Sequence, residues 1–212
     1  MRLSCHAESM RQIGILGGTF NPPHLGHIHA ARCAANELEL TQVLLIPDYL
    51  PPHKVTAVGS PTAQQRLEMV ALAAEVDARL VADGCEIARG GKSYTVDTLT
   101  ELRERLPEDA LTFICGTDMF LTLQRWYCSE TLLRLARFAV APRVQENLDA
   151  LYKQAEFLRE QFGADTVVLN SPVLELSSSE IRARILNGNF EGLDPKVVSY
   201  IKANHLFGVK ES

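Results

Sequence analysis

The residues best suited to chemistry lie together near the start of the chain, in Gly17-Gly18-Thr19-Phe20-Asn21-Pro22-Pro23-His24-Leu25-Gly26-His27. This segment follows a short apolar run, Ile13–Leu16, and opens a helical pattern. It therefore reads as the turn between a first strand and a first helix. Paired glycines let a ligand approach the backbone closely. Free amides and the dipole at a helix start favour an anion. His24 and His27 are three apart and share one face of the first turn. Two imidazole donors beside a helix N-terminus make a phosphate clamp. The alternative is a metal cluster of His24, His27 and His29, or three surface histidines. Against a metal, no carboxylate lies between Gly14 and Asn36, and the positive end of a helix disfavours a cation. Other phosphate motifs fail. Gly14, Gly17 and Gly18 do not fit the dinucleotide spacing, and Gly91-Lys92-Ser93 has Glu86 where a P-loop requires glycine.

The rest of the chain must position that segment. Short apolar runs at Ile13–Leu16, Val43–Ile46, Arg79–Ala82, Leu111–Cys115, Phe138–Ala141 and Thr166–Leu169 read as strands buried on both faces. Between them lie helical patterns. Thr62 and Gln65 form a capping box before a face of Leu67, Val70, Ala71 and Ala74. Val96, Leu99, Leu102 and Leu106 give a second face, and Leu148 to Phe162 a longer helix. Ser177 with Glu180 caps a helix that ends at Asn187-Gly188, and Asp194-Pro195 starts a last one. This alternation predicts an α/β fold with a doubly wound, mainly parallel sheet of Rossmann-like type and a small C-terminal helical part. Ligands in such sheets bind at the carboxyl ends of the strands, near the topological switch point. The longest irregular stretch, Pro47–Pro61, carries four prolines and His53-Lys54, and a loop of that length is often functional.

Composition narrows the function classes. The 212 residues predict one domain, read as residues 12–212 behind an N-terminal extension, residues 1–11. Hydrophobic residues at 46% and charged residues at 22% argue against disorder. A net charge of −5 makes a poor general binder of nucleic acid or anionic membrane. No apolar run approaches the ~18 residues of a membrane span. The five cysteines are odd in number and well separated, which suits reduced thiols in a cytoplasmic protein better than a disulfide framework or a zinc site.

With these residues in view, the chain resembles the nucleotidyltransferase superfamily. Gly17–His27 is similar to the signature GGTFDPxHxGH, with Asn21 in place of Asp. Leu176-Ser177-Ser178-Ser179-Glu180-Ile181-Arg182 resembles the second signature, ISSTxIR, with Ser179 in place of Thr. Three further segments select a branch: Pro51-Pro52-His53-Lys54, Ser93-Tyr94-Thr95-Val96-Asp97-Thr98-Leu99, and Phe113-Ile114-Cys115-Gly116-Thr117-Asp118-Met119-Phe120 through to Trp126. Together they resemble the bacterial nicotinate-nucleotide adenylyltransferases, over about Gln12 to Phe207.

The resemblance implies transfer of the adenylyl group of ATP to nicotinate mononucleotide, giving deamido-NAD and pyrophosphate in NAD biosynthesis. It implies ATP and nicotinate mononucleotide as partners, and Mg²⁺ carried largely by the triphosphate rather than by a protein cage. Carried over by position, Gly17, Gly18, Thr19 and Phe20 would cradle ATP. His24, His27 and Arg182 would be the catalytic groups, binding phosphates and stabilising charge. Ser178 would help Arg182 grip the triphosphate, and Lys54 would reach a phosphate from the long loop. Gly116 and Asp118 would contact the adenosine side. Thr95, Trp126 and Tyr94 would read the nicotinate. Each residue also has a plainer reading: Ser177 as only a cap, Trp126 and Tyr94 as core, Lys54 and Arg182 as solvated charges. Phe113, Ile114, Phe120 and Leu123 read as core. Where the family often shows Arg-Pro-Gly after the fifth strand, this chain has Ala141-Pro142-Arg143, which leaves open whether Arg143 contacts ATP. The competing readings are nicotinamide mononucleotide or phosphopantetheine as the acceptor, and a non-catalytic nucleotide sensor.

Overall fold

The computed structural model describes residues 10–51, 60–143, 148–172, 174 and 176–209. Six strands form one sheet: β1 (Gln12–Gly18), β2 (Gln42–Pro47), β3 (Leu80–Ala82), β4 (Ala110–Gly116), β5 (Arg137–Ala141) and β6 (Thr166–Val168). Their order is β3-β2-β1-β4-β5-β6, and every neighbouring pair is parallel. All six expected apolar runs are strands, with ends shifted by a residue or two. Between them run α1 (Leu25–Glu37), α2 (Ala63–Ala74), α3 (Cys85–Arg89), α4 (Thr95–Arg105), α5 (Thr117–Phe120), α6 (Ser129–Leu135) and α7 (Asp149–Phe162), followed by α8 (Ser178–Ile185) and α9 (Pro195–Ala203).

Side-chain alternation along each strand explains the two-sided burial. Ile13 and Ile15 enter one core layer with Leu44, Ile46, Leu99, Leu102, Phe113, Phe138 and Leu158. Leu16 enters the other, with Val43, Leu45, Met69, Ile114 and Ile181. The C-terminal helices α8 and α9 belong to that second layer through Ile181, Ile185, Val197 and Ile201. Phe113, Ile114, Phe120 and Leu123 are buried, as expected.

Two local readings need adjustment. The inward face of α2 is Arg66, Met69, Val70, Ala73 and Ala74, whereas Ala71 is exposed. The helix is rotated from the apolar stripe because Arg66 turns inward to pair with Asp48 at 3.0 Å. Arg11 also belongs to the folded edge. Its guanidinium reaches Asp109 at 2.6 Å, and its carbonyl accepts from the Ala110 amide. The expected N-terminal caps are present: Thr62 with Gln65, Ser177 accepting from the Glu180 amide, and Asp194 accepting from the Lys196 amide; α8 itself ends at Ile185, short of the expected Asn187-Gly188.

Candidate active site

The chain winds outward from β1 to β3 and then returns to β4 on the other side of β1. The switch point therefore lies between the carboxyl ends of β1 and β4, where strand order reverses and a crevice opens. Gly17 and Gly18 end β1, and Gly116 ends β4. Two cavities flank this point, of about 580 Å³ and about 350 Å³, and both are lined by Gly17, Gly18 and Met119.

The larger cavity collects most of the first signature and the start of α8: Gly17, Gly18, Thr19, Phe20, Asn21, His24, His27, Ser178 and Arg182 all line it, as does Gly116. Residues about 160 positions apart are brought together by direct bonds. Arg182 donates to the Asn21 carbonyl at 2.7 Å and to the Ser179 hydroxyl at 3.0 Å. The Ser178 hydroxyl donates to the Pro22 carbonyl at 3.2 Å. Gly26 permits the last wall. A Cβ there would meet the Leu174 carbonyl at 2.9 Å, and Leu174 and Leu176 close that side. Phe20 is fully buried at a φ of 47°, an uncommon conformation for a non-glycine residue that turns the chain sharply after the glycines.

The two imidazoles stack with centroids 3.6 Å apart. The His24 amide donates to His27 Nδ1 at 3.2 Å, so a neutral His27 carries its proton on Nε2. Burial pushes the His24 imidazole down from its usual range to about 4, so it is neutral in the free protein. Two buried side-chain atoms of the described residues lack a partner, His24 Nδ1 and Asn21 Oδ1, and both residues line this cavity. A buried polar atom without a partner costs stability, and a polar ligand relieves that cost. His29 does not join them. It is exposed, 3.2 Å from the Pro172 carbonyl and 3.5 Å from the Cys33 sulfur.

The smaller cavity is of different character. Tyr94, Thr95, Val96, Phe113, Trp126 and Tyr127 line it together with Asp48, Glu86, Ser93, Thr98 and Asp118. Trp126 stands edge-on to Phe113 at 6.2 Å, and its indole donates to the Thr122 hydroxyl at 3.4 Å. It is half-buried, with core on one side and the cavity on the other. Tyr94 packs on Tyr127 at 4.6 Å. Thr95 opens α4, whose first amides have no partner within the helix. Asp118 lines this cavity rather than the larger one, and it is ion-paired with Arg143 at the exposed rim. Lys54 lies outside the described residues.

Three buried charged groups beside the site carry no role in the sequence reading: Asp48, Arg66 and Glu86. Arg66 donates to the Thr19 carbonyl at 2.7 Å, to Asp48 Oδ1 at 3.0 Å and to the Asp48 carbonyl at 2.6 Å. Asp48 Oδ2 accepts from the Thr19 hydroxyl at 2.8 Å. This pair fastens the glycine turn to the end of β2. Only Asp48 carried a signal, its position just beyond a strand's carboxyl end.

The cytidylyltransferase-like family profile matches residues 15–184, which span both signatures. A probable nicotinate-nucleotide adenylyltransferase of Carboxydothermus hydrogenoformans is 37% identical over 92% of this chain and 98% of its own length. One of Synechococcus sp. (strain JA-3-3Ab) is 39% identical over 93% of this chain and 95% of its own. The chain belongs to the nicotinate-nucleotide adenylyltransferase family. Among solved structures, Plasmodium falciparum nicotinic acid mononucleotide adenylyltransferase complexed with NaAD superposes with a TM-score of 0.74. That likeness covers 94% of this chain and 98% of the other at 19% identity, so it speaks for the fold.

Members of such a family use ATP together with a metal ion. Among the described residues no group of three or more His, Cys, Asp or Glu is placed to hold one. The larger cavity offers imidazoles, hydroxyls, backbone amides and a guanidinium, a donor set that fits phosphate oxygens. The residues present thus fit the phosphates of such a nucleotide.

Proposed function

We propose that adenylyl transfer in this chain is divided between the two cavities, with ATP in the larger and nicotinate mononucleotide in the smaller. The observation that carries this reading is their meeting at Gly17 and Gly18, where neither residue has a side chain to separate the two ligands. A phosphate oxygen of the mononucleotide attacks the α-phosphorus of ATP. The bond from that phosphorus to the oxygen bridging the β-phosphate breaks, and pyrophosphate leaves. No protein nucleophile is required, so the chain's contribution is alignment and charge stabilisation.

Gly17, Gly18, Thr19 and Phe20 cradle the phosphates through the backbone. His24, His27, Ser178 and Arg182 bind the triphosphate and stabilise charge developing on the α-phosphate and the departing pyrophosphate. His24 is neutral before ATP arrives, which spares the empty site a buried cation. The incoming phosphates supply the opposite charge that favours its protonated form. Mg²⁺ would be held by the triphosphate rather than by these side chains, and would supply further charge neutralisation there. Gly116 takes the adenosine side. Asp118 and Arg143 stand at the rim where a ribose would pass, and Lys54 serves a phosphate. In the smaller cavity, the Trp126 face and Tyr94 hold the pyridinium ring, and Thr95 with the free amides of α4 takes the carboxylate. The free thiols Cys33, Cys85, Cys115 and Cys128 suit a cytoplasmic setting.

The test is pyrophosphate release with ATP and Mg²⁺, offering nicotinate mononucleotide, nicotinamide mononucleotide and phosphopantetheine in parallel. Strong preference for the first is expected. Activity with phosphopantetheine alone would overturn the assignment of the smaller cavity. ATP binding without release from any acceptor would favour a sensor.

A further inference from the structure

Glu86 is a buried carboxylate on the wall of the smaller cavity to which the transfer reaction gives no task. It sits in the first turn of α3 and is only 7% exposed. Burial pushes its carboxyl above the usual carboxylate range. A carboxylate in such a place is expensive unless its hydrogen bonds are used. Here one is used at close range: Glu86 Oε1 accepts from the Thr98 hydroxyl at 2.6 Å, and that hydroxyl also lies 3.4 Å from the Tyr94 carbonyl. The Thr98 oxygen in turn accepts from Arg89 at 2.9 Å, and Arg89 pairs with Glu101 at 2.6 Å.

Thr98 closes the first turn of α4, its amide and hydroxyl both reaching the Tyr94 carbonyl, and Glu86 holds that hydroxyl from the neighbouring helix. At that helix start the residues Tyr94, Thr95 and Val96 line the cavity, and the first amides of a helix have no partner within it. Left free, the first turn of a helix frays and its donors wander. We infer that Glu86 is a positioning residue for substrate recognition: it holds Thr98, and through it the first turn of α4, so that Tyr94, Thr95 and the first amides of α4 keep the geometry that reads the pyridine carboxylate. This rests on the assignment of nicotinate mononucleotide to the smaller cavity. The clamp acts on one substrate only, because Glu86 does not line the larger cavity.

Trp126 is the single tryptophan of the chain and lines the smaller cavity, so its emission reports binding there directly. The experiment titrates nicotinate mononucleotide into the wild type and into Glu86→Ala, Glu86→Gln and Thr98→Val, following Trp126 fluorescence, and measures KM for both substrates. Glu86→Ala is expected to raise the Kd and KM for nicotinate mononucleotide about tenfold, in line with loss of hydrogen bonds to a charged group. KM for ATP should stay within about twofold. Glu86→Gln keeps a carbonyl acceptor for Thr98 and should recover much of the loss. Thr98→Val removes the bonded hydroxyl at nearly constant volume and should reproduce a share of it. A folded Glu86→Ala with a wild-type titration midpoint overturns the inference. So does an equal loss for ATP and the mononucleotide. Should Glu86→Ala fail to fold, unshifted midpoints in both Glu86→Gln and Thr98→Val overturn it. A wild-type emission indifferent to nicotinate mononucleotide, with pyrophosphate still released, overturns the cavity assignment itself and the inference with it.

Discussion

The two halves of the site offer a ligand different surfaces. The larger cavity has no carboxylate among its lining residues; it presents two histidines, several hydroxyls and Arg182. The smaller one presents Asp48, Glu86 and Asp118 beside an aromatic wall of Tyr94, Phe113, Trp126 and Tyr127. The first set matches a polyanion. The acids of the second are already engaged, Asp48 by Arg66, Asp118 by Arg143 and Glu86 by Thr98, so what that cavity offers a ligand is chiefly its aromatic wall. Under the proposed function this contrast divides the chemistry: the donors that would stabilise a transition state stand on one side, and the groups that would recognise an acceptor stand on the other.

Arg66 is where that division is most easily broken, since it holds Thr19 of one cavity and Asp48 of the other. Arg66→Met strands a buried carboxylate, and removing one partner of such a pair costs about 3–5 kcal/mol of stability. Urea unfolding should show that loss, with KM raised for both substrates. A variant that moves only one KM would mean the cavities are fastened separately.

Arg182→Ala sharpens the comparison from the ATP side. Turnover should fall about 10²–10³-fold, the usual effect of deleting one transition-state donor. Nicotinate mononucleotide binding, read by Trp126 emission, should not move. Near-normal turnover in a folded variant would remove Arg182 from the mechanism.

The buried imidazole gives a pH signature confined to the larger cavity. His24 is held at about 4 in the folded protein, below its ordinary 6.5. As pH falls the unfolded chain binds the proton first, so the stability contribution is whole above pH 6.5 and is lost on the way to pH 4. The free protein should lose about 2 kcal/mol between pH 7 and pH 5 from this group. In paired urea titrations His24→Gln should show a flatter profile over that range. Identical slopes would show that His24 takes up its proton freely in the folded state.

The smallest expected effect lies in the aromatic wall. Trp126→Ala should raise KM for nicotinate mononucleotide by about 5- to 30-fold, the size of a partly desolvated cation–π contact, and leave KM for ATP alone. Lost thermal stability with an unchanged KM would assign Trp126 to packing against Phe113.

Legibility in the sequence followed the range of the interactions. The apolar runs 13–16, 43–46 and 138–141 were plain as strands because burial on both faces leaves no polar position in them. Thr62, Ser177 and Asp194 were plain as caps because a cap bonds only two or three residues ahead. The pairing of His24 with His27 at a helix start is equally local. Arg66 was not legible. On a helix with period 3.6 it reads as an exposed cation, and only its contact with Asp48, 18 residues away in sequence, turns it inward. Glu86 was read merely as the residue that spoils a P-loop. The short helices α3, α5 and α6 carried too few turns for periodicity to show.

By itself, then, the sequence determined the six strands, the longer helices, the place of the glycine–histidine turn and which family the signatures resemble. These depend on neighbours within about one helical turn or one strand, where chain connectivity already sets the distance. Tertiary structure alone decided that Arg182 reaches the Asn21 carbonyl, that Asp118 lines the smaller cavity, and that Asp48, Arg66 and Glu86 are buried beneath the site. Those facts depend on which strand ends are brought side by side at the β1–β4 switch, and on the desolvation that makes a buried charge find a partner far along the chain.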